Sequence, residues 1–195
     1  MITLCMDTSH TYLALALLQD DKLLDSICEV APKKQSELIF PELLSLLDKN
    51  HLSAKDIDEV VITEGPGSYT GVRIAMTVAK VFCSQKKIPL YTVNTLRLYA
   101  GNASGRVVLD ARGKRVYTAV YKEGKEMEAP SIKGIDEISS EEVLIGDTQL
   151  FGQEPKPLTL AENFVACRKD WKKQDNIHTV VPEYYKSIDA YRVNG

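Results

Sequence analysis

Glu64-Gly65-Pro66-Gly67-Ser68-Tyr69-Thr70-Gly71-Val72-Arg73-Ile74-Ala75-Met76-Thr77-Val78-Ala79-Lys80 places three glycines and one proline within seven residues, directly after the apolar run Val60-Val61-Ile62. Beyond Gly71 the apolar residues switch to helical spacing at Val72, Ala75, Val78, Ala79 and Phe82. The stretch therefore reads as strand, tight turn and helix, with the helix running from Thr70 to about Gln85 and its C-terminal dipole met by Lys86 and Lys87. Pro66-Gly67 suits the centre of a type II turn with positive φ at Gly67, and Ser68 or Thr70 can cap the helix. A glycine turn at a helix start can hold an anion on its free N–H groups. This one lacks the Gly-Lys-Ser/Thr ending of a phosphate loop and the spacing of a dinucleotide fingerprint. Pro66 also removes one N–H. The reading taken is a turn whose glycines let backbone segments pack closely.

Upstream, Ile2 to Met6, Tyr12 to Leu18 and Leu23 to Val30 are three short apolar runs. The Ala-Leu pairs of the second also suit a helix, but Asp20-Asp21 is turn chemistry and favours an antiparallel meander of strands. A helix is expected over Ser36 to Lys49, with Ser36 as N-cap and Pro41 bending it. Its apolar residues are wider than one stripe: Ile39, Leu43 and Leu46 on one side, Phe40, Leu44 and Leu47 beside them. Two readings stay open, a second face for a partner chain or a helix well buried in its own chain. Val60 to Thr63 then completes a parallel crossover. Pro89 to Val93 is a further strand, and Asn94-Thr95 caps a short helix to Ala100.

Gly101-Asn102-Ala103-Ser104-Gly105 is linker-like, and the opening pattern returns after it. Arg106 to Asp110 echoes Ile2 to Asp7, and Val116 to Tyr121 echoes Tyr12 to Leu17. Each half is strand, aspartate, turn, strand. This divides the chain into lobes 1–101 and 102–195. In the second, Val143 to Gly146 reads as a strand and Leu158 to Lys173 as a helix with Leu160, Phe164, Cys167 and Trp171 on one face. Arg168, Lys169, Lys172 and Lys173 are balanced by Asp170 and Asp175, and read as a solvated helix face rather than a phosphate patch.

The 195 residues carry 24 basic and 27 acidic side chains, a net charge of −3, which is a poor footprint for holding nucleic acid unaided. No apolar run approaches the roughly 18 residues of a membrane span, and no basic-then-apolar leader opens the chain, so a cytoplasmic protein is expected. Cys5, Cys28, Cys83 and Cys167 form no Cys-x-x-Cys pair and read as reduced thiols. His10, His51 and His178 pair with no other ligand at metal spacing, and Ser9 and Ser68 have no visible histidine partner, which leaves metal and peptidase chemistry unsupported.

Duplicated strand–Asp–turn lobes resemble those of actin, sugar kinases and heat-shock ATPases, where two lobes clasp ATP and the equivalent aspartates lie near magnesium. Asp7 and Asp110 hold those places. They either hold a magnesium through its waters or satisfy turn N–H groups, and the second reading is preferred.

Six strings resemble the bacterial tRNA threonylcarbamoyladenosine biosynthesis family TsaB (YeaZ): Leu4-Cys5-Met6-Asp7-Thr8-Ser9, Gln35 to Pro41, Gly65 to Ile74, Val93 to Leu96, Asp110 to Tyr117 and Pro182-Glu183-Tyr184-Tyr185. The glycine string, Gly65, Pro66, Gly67, Ser68, Tyr69, Thr70, Gly71 and Arg73, is the most specific. The resemblance implies an α/β, actin-like ATPase (ASKHA, ribonuclease-H-like) fold with a reduced second lobe. It implies a non-catalytic subunit that pairs with the catalytic paralogue TsaD and is joined by the ATPase TsaE. That complex moves a threonylcarbamoyl group onto the adenosine beside the anticodon of tRNAs reading A-starting codons. tRNA would be met only through the complex. No cofactor or metal is implied for the chain itself, with ATP or ADP only in the complex. Asp7, Thr8, Ser9 and Asp110 would be a vestigial nucleotide site, and Gln35 stands where many members carry a histidine. The family pairs through first-lobe helices, which points to Ile39, Leu43, Leu46, Ile74, Val78 and Val81 as interface, and reuse of these helices would give a homodimer. The alternative is a self-sufficient ATP-binding enzyme of the same fold, with Asp7 and Asp110 at magnesium.

Overall fold

The structure is a computed structural model and describes residues 1–185. The order of elements is β1 (Ile2–Asp7), β2 (Tyr12–Gln19), β3 (Lys22–Val30), α1 (Gln35–Lys49), β4 (Glu59–Thr63), α2 (Tyr69–Lys86), β5 (Leu90–Val93), α3 (Thr95–Ala100), β6 (Gly105–Asp110), β7 (Arg115–Lys122), β8 (Lys125–Gly134), β9 (Leu144–Gly146), α4 (Leu160–Ala166) and β10 (Lys172–Lys173), with short 3-10 turns between. They build two sheets, ordered β10-β5-β4-β1-β2-β3 and β8-β7-β6-β9.

The two sheets repeat one plan. β1, β2 and β3 form an antiparallel meander, and β4 lies parallel on the free side of β1. β6, β7 and β8 form the second meander, and β9 lies parallel on β6. Between β3 and β4 the chain makes the four-turn helix α1; between β8 and β9 it makes only a 3-10 turn at Ile135–Glu137. The second lobe is reduced at that crossover.

Strand periodicity explains the Ala-Leu alternation of β2. Successive side chains point to opposite faces of a sheet. Leu13, Leu15 and Leu17 enter a core with Leu4, Met6, Val60 and Ile62 under α1 and α2. Ala14 and Ala16 face the other way with Cys5 and Val61, into a second core shared with Val107, Leu109, Tyr117 and Phe164. The first sheet is thus buried on both faces, and its small residues face the second lobe, α3 and α4.

Several boundaries differ from those expected. α1 starts at Gln35, with Lys34 at the N-cap position and no side-chain cap, so Ser36 lies inside the first turn. Pro41 sits within the unbroken helix. The helix expected over Leu158 to Lys173 stops at Ala166. Asp170 N–H donates to the Cys167 carbonyl at 2.8 Å, and Lys172 and Lys173 then extend to pair with Thr92 and Tyr91 at the edge of the first sheet. The basic cluster is therefore no helix face: Arg168 pairs with Asp21 and Glu59, and Lys172 with Glu64.

The chain stays on the first lobe from there. Gln174 N–H donates to the Leu90 carbonyl at 2.9 Å and Glu183 N–H to that of Glu64 at 2.6 Å, while Lys80 Nζ caps the carbonyls of His178 and Val180. Within the span 102–195 read as the second lobe, residues 172–183 thus bond to the first sheet and α2, and 186–195 lie outside the described residues.

Candidate docking face and the glycine loop

The loop from Glu64 to Ser68 carries β4 into α2. The Gly65–Pro66 peptide is cis, and the positive φ of +113° falls on Gly65. Gly67 has no positive φ, so the expected type II turn is not formed. Gly67 is needed for closeness instead. A Cβ there would run into the Ser9 carbonyl, and one on Gly71 into the Thr8 carbonyl. A Cβ on Gly65 would lie 2.5 Å from the Glu183 carbonyl. Ser68 caps α2, its Oγ accepting from Gly71 N–H at 3.3 Å. Ser68 N–H donates to the Ser9 carbonyl at 2.7 Å, so loop donors that would meet an anion are spent inside the protein. Thr8 Oγ1 donates to the Gly71 carbonyl at 2.7 Å and accepts from Ala75 N–H at 3.1 Å. Tyr117 of the second lobe reaches the Gly67 carbonyl with its hydroxyl at 3.4 Å. The motif is a closely packed joint between β1, α2 and the second sheet.

The paired aspartates sit in matching turns. Asp7 Oδ1 accepts from Ser9 N–H at 2.9 Å, and Asp110 Oδ1 accepts from Arg112 N–H at 2.7 Å, the same two-residue reach in each lobe. Thr63 Oγ1 also donates to Asp7 Oδ1 at 2.6 Å. Asp110 is closed by Arg112 Nη1 at 3.3 Å. Asp7 Oδ2 and Ser9 Oγ are buried without a partner among the described residues. Among the described residues no group of three or more His, Cys, Asp or Glu side chains could hold a metal.

One contact ties the two aspartate turns together. His10 Nε2, from the β1–β2 turn, meets Asp147 Oδ2 at 2.7 Å, and the same oxygen accepts from Asp110 N–H at 2.6 Å. Burial alone would push the Asp147 carboxyl up, but the His10 contact and the Asp110 N–H hold it below the usual carboxylate range. Gln35 Nε2 donates to the His10 carbonyl at 2.8 Å, which seats α1 on this turn. The sequence presents His10 only as an unpaired metal-ligand candidate, and nothing local marks Asp147.

The other feature is a groove of about 750 Å³ between α1 and α2. Phe40, Leu43, Ile74, Val78, Val81 and Phe82 line it, with Tyr69 and Arg73 at one end. Phe40 is 56% exposed, Leu44 66% and Val81 60%, a concentration of large apolar side chains on one face. The expected interface residues divide. Ile74, Val78 and Val81 lie on the groove, whereas Ile39 and Leu46, each 1% exposed, belong to the core. Leu43 and Ile39 form only its floor. Phe40 and Leu44, one position round the helix, are the ones that stand out. The reason is angular: a helix turns about 100° per residue, so the stripe that fills the core leaves Phe40 and Leu44 outside, while Leu47 still reaches the core.

At the end of the groove the guanidinium of Arg73 lies 4.4 Å over the Tyr69 ring, and Tyr69 stacks on Tyr184 at 5.4 Å. Arg73 Nε donates to the Tyr184 hydroxyl at 2.8 Å. Two strings more than a hundred residues apart in sequence, Gly65 to Ile74 and Pro182 to Tyr185, thus meet in space. No helix among the described residues is long and apolar enough to cross a membrane.

The fold is that of a two-lobed, actin-like protein whose glycine loop is a structural joint and whose first-lobe helices carry an exposed apolar face. The family model described as TsaD: tRNA N6-adenosine threonylcarbamoyltransferase matches residues 27–147. The tRNA threonylcarbamoyladenosine biosynthesis protein TsaB of Escherichia coli is 30% identical over 165 residues, 75% of this chain and 71% of that protein. Its counterpart in Bacillus subtilis is 35% identical over 127 residues, 63% of this chain. The matched part spans 56% of that protein's length. A solved structure of YeaZ from Pseudomonas aeruginosa superposes with a TM-score of 0.75, covering 94% of this chain and 99% of that one at 24% identity, and shares the fold. The chain belongs to the TsaB (YeaZ) family of tRNA threonylcarbamoyladenosine biosynthesis proteins.

Proposed function

We propose that this chain is a non-catalytic subunit of a tRNA threonylcarbamoyladenosine-forming complex, and that it works by docking its α1–α2 face against the catalytic paralogue TsaD. The observation that carries the reading is the exposure of Phe40 and Val81 on one apolar groove, with Leu44 exposed one turn along α1 from Phe40. A face of that kind is stable in water only at a cost, which a partner removes by covering it. The non-catalytic half of the proposal is supported by the two aspartates. Each is tied to its own turn, and the His10–Asp147 pair ties the two turns together. On this reading the chain has no nucleotide of its own, and TsaE and tRNA join through the complex. The test is to mix the purified chain with TsaD and follow mass by light scattering, and then to add TsaE, ATP, tRNA and threonylcarbamoyl adenylate and follow threonylcarbamoyladenosine formation. Association is expected, with product formed only when both are present. Magnesium-dependent ATP binding by the isolated chain, lost on Asp7→Ala, would overturn the proposal in favour of an ATP-using enzyme.

A further inference from the structure

A second cleft, of about 440 Å³, shares no lining residue with the docking groove. It opens between the end of β5 with α3 on one side and the β7–β8 hairpin with the turn Arg168–Asp170 on the other. Its volume lies in the range of small-molecule sites, about 300–1,000 Å³.

Two buried donors in its wall lack acceptors. Arg97 is 6% exposed. Its Nε donates to Asp170 Oδ2 at 2.8 Å and its Nη1 to the Gly101 carbonyl, but Nη2 has no partner among the described residues. Tyr121 is 2% exposed, and its hydroxyl is likewise unpartnered. The guanidinium lies 5.8 Å from the Tyr121 ring centre, so the two groups are neighbours. A guanidinium can only donate. Burial, helped by Glu126, pushes the Tyr121 phenol up, so it keeps its proton and can donate as well. Buried polar groups are almost always paired, and here two neighbouring side chains each carry an unpaired donor.

The surroundings fit an anion. Lys125 and Lys169 stand exposed on the rim and form no ion pair among the described residues. Of the lining acids, Asp170 is used by Arg97, and Glu183 accepts from Asn94 at 3.2 Å and from the Tyr185 hydroxyl at 3.0 Å, which leaves the exposed Glu126. Gly124, at φ +73°, covers Arg97. A Cβ there would come 3.1 Å from Nη2. Val93, Pro130 and Tyr185 supply apolar wall.

We propose that this cleft binds a small organic anion whose carboxylate or phosphate group accepts from Arg97 Nη2 and the Tyr121 hydroxyl, with Lys125 and Lys169 drawing it in. The site is independent of the docking groove, so partner association does not depend on it.

The experiment uses the full chain and two probes, inorganic phosphate and citrate, each titrated by calorimetry against sodium chloride of equal ionic strength. Saturable binding of at least one is expected, weakened tenfold or more by both Tyr121→Phe and Lys169→Ala. Binding of phosphate alone assigns a phosphoryl head group, and of citrate alone a carboxylate. Tyr121→Phe removes only an unpaired hydroxyl, so its melting temperature without ligand should match or exceed that of the parent, which keeps the binding result readable. No saturable binding of either probe, or binding unchanged in both variants, overturns the proposal.

Discussion

Val81→Glu separates docking from folding. Val81 is 60% exposed on α2, and its groove neighbours Phe40, Ile74, Val78 and Phe82 are apolar. Covering the exposed part of one valine contributes about 1 kcal/mol, scaled from roughly 1.5 for a full burial. A carboxylate in its place forfeits that and is left buried and unpaired in the joint, a cost of about 3–5 kcal/mol. A total of about 4–6 kcal/mol corresponds to about a thousandfold to ten-thousandfold in Kd. The free chain should scarcely notice, since an exposed substitution of this kind stays within about 0.5 kcal/mol, under about 2 °C in Tm at this size. Sedimentation with TsaD reads the first quantity and differential scanning fluorimetry the second. Leu46→Ala is the control in the opposite sense: 1% exposed, it should cost about 2–5 kcal/mol of stability through cavity formation. Should Val81→Glu bind TsaD as tightly as the parent while folded, the α1–α2 groove is not the docking face.

Other perturbations bear on the joint and on charge. Gly67→Ala forces a Cβ against the Ser9 carbonyl and should lower stability by about 1–3 kcal/mol in urea unfolding. Thr8→Val keeps the shape but leaves the Gly71 carbonyl without its side-chain donor, about 1–3 kcal/mol by the same measurement. Glu128 is held at about 2, against an ordinary 4.5, by hydrogen bonds from Arg106 and Lys133. A carboxyl depressed on folding adds stability above its unfolded value and loses it as pH falls through the folded one. The stability gap between the parent and Glu128→Gln should therefore be full at pH 6, shrink below about 4.5 and close near pH 2, as followed by urea midpoints.

What could be read from the residues followed from local rules. Period-2 patterning gave the strands of the first meander and β6 and β7 of the second, because each has a core to face on at least one side, whereas β8, with its mixed and largely exposed sequence, carries no such pattern. The turn at Asp20-Asp21 and the cap at Asn94 are decided within a few residues, and Asn94 Oδ1 does accept from Leu96 N–H at 2.9 Å. The close-packed role of the glycines was likewise legible, since no phosphate signature competed with it. What failed depended on partners far along the chain. The helix expected through Lys173 ends early because β5 offers an unpaired edge to Lys172 and Lys173, and Arg97 takes Asp170. The His10–Asp147 contact joins residues 137 apart, and no spacing rule links them.

The interface residues show where such rules stop. α1 carries two adjacent apolar faces, and periodicity says only that there are two, not which one the fold uses. Packing settles it by volume. Ile39, Leu43, Leu46 and Leu47 lie over Leu13, Leu15 and Ile62 in one core, while Phe40 and Leu44 are left in water. On α2 the same division puts Val72, Ala75, Met76 and Ala79 inward and Val81 outward. The residues that fill the core and those most exposed for another chain are thus different ends of one gradient on the same two helices, with Ile39, Leu43, Ile74 and Val78 shared as the floor and walls of the groove. A surface of this kind can change with its partner without unmaking the core beneath it, because the glycine joint and the first-sheet leucines fix the helix positions independently.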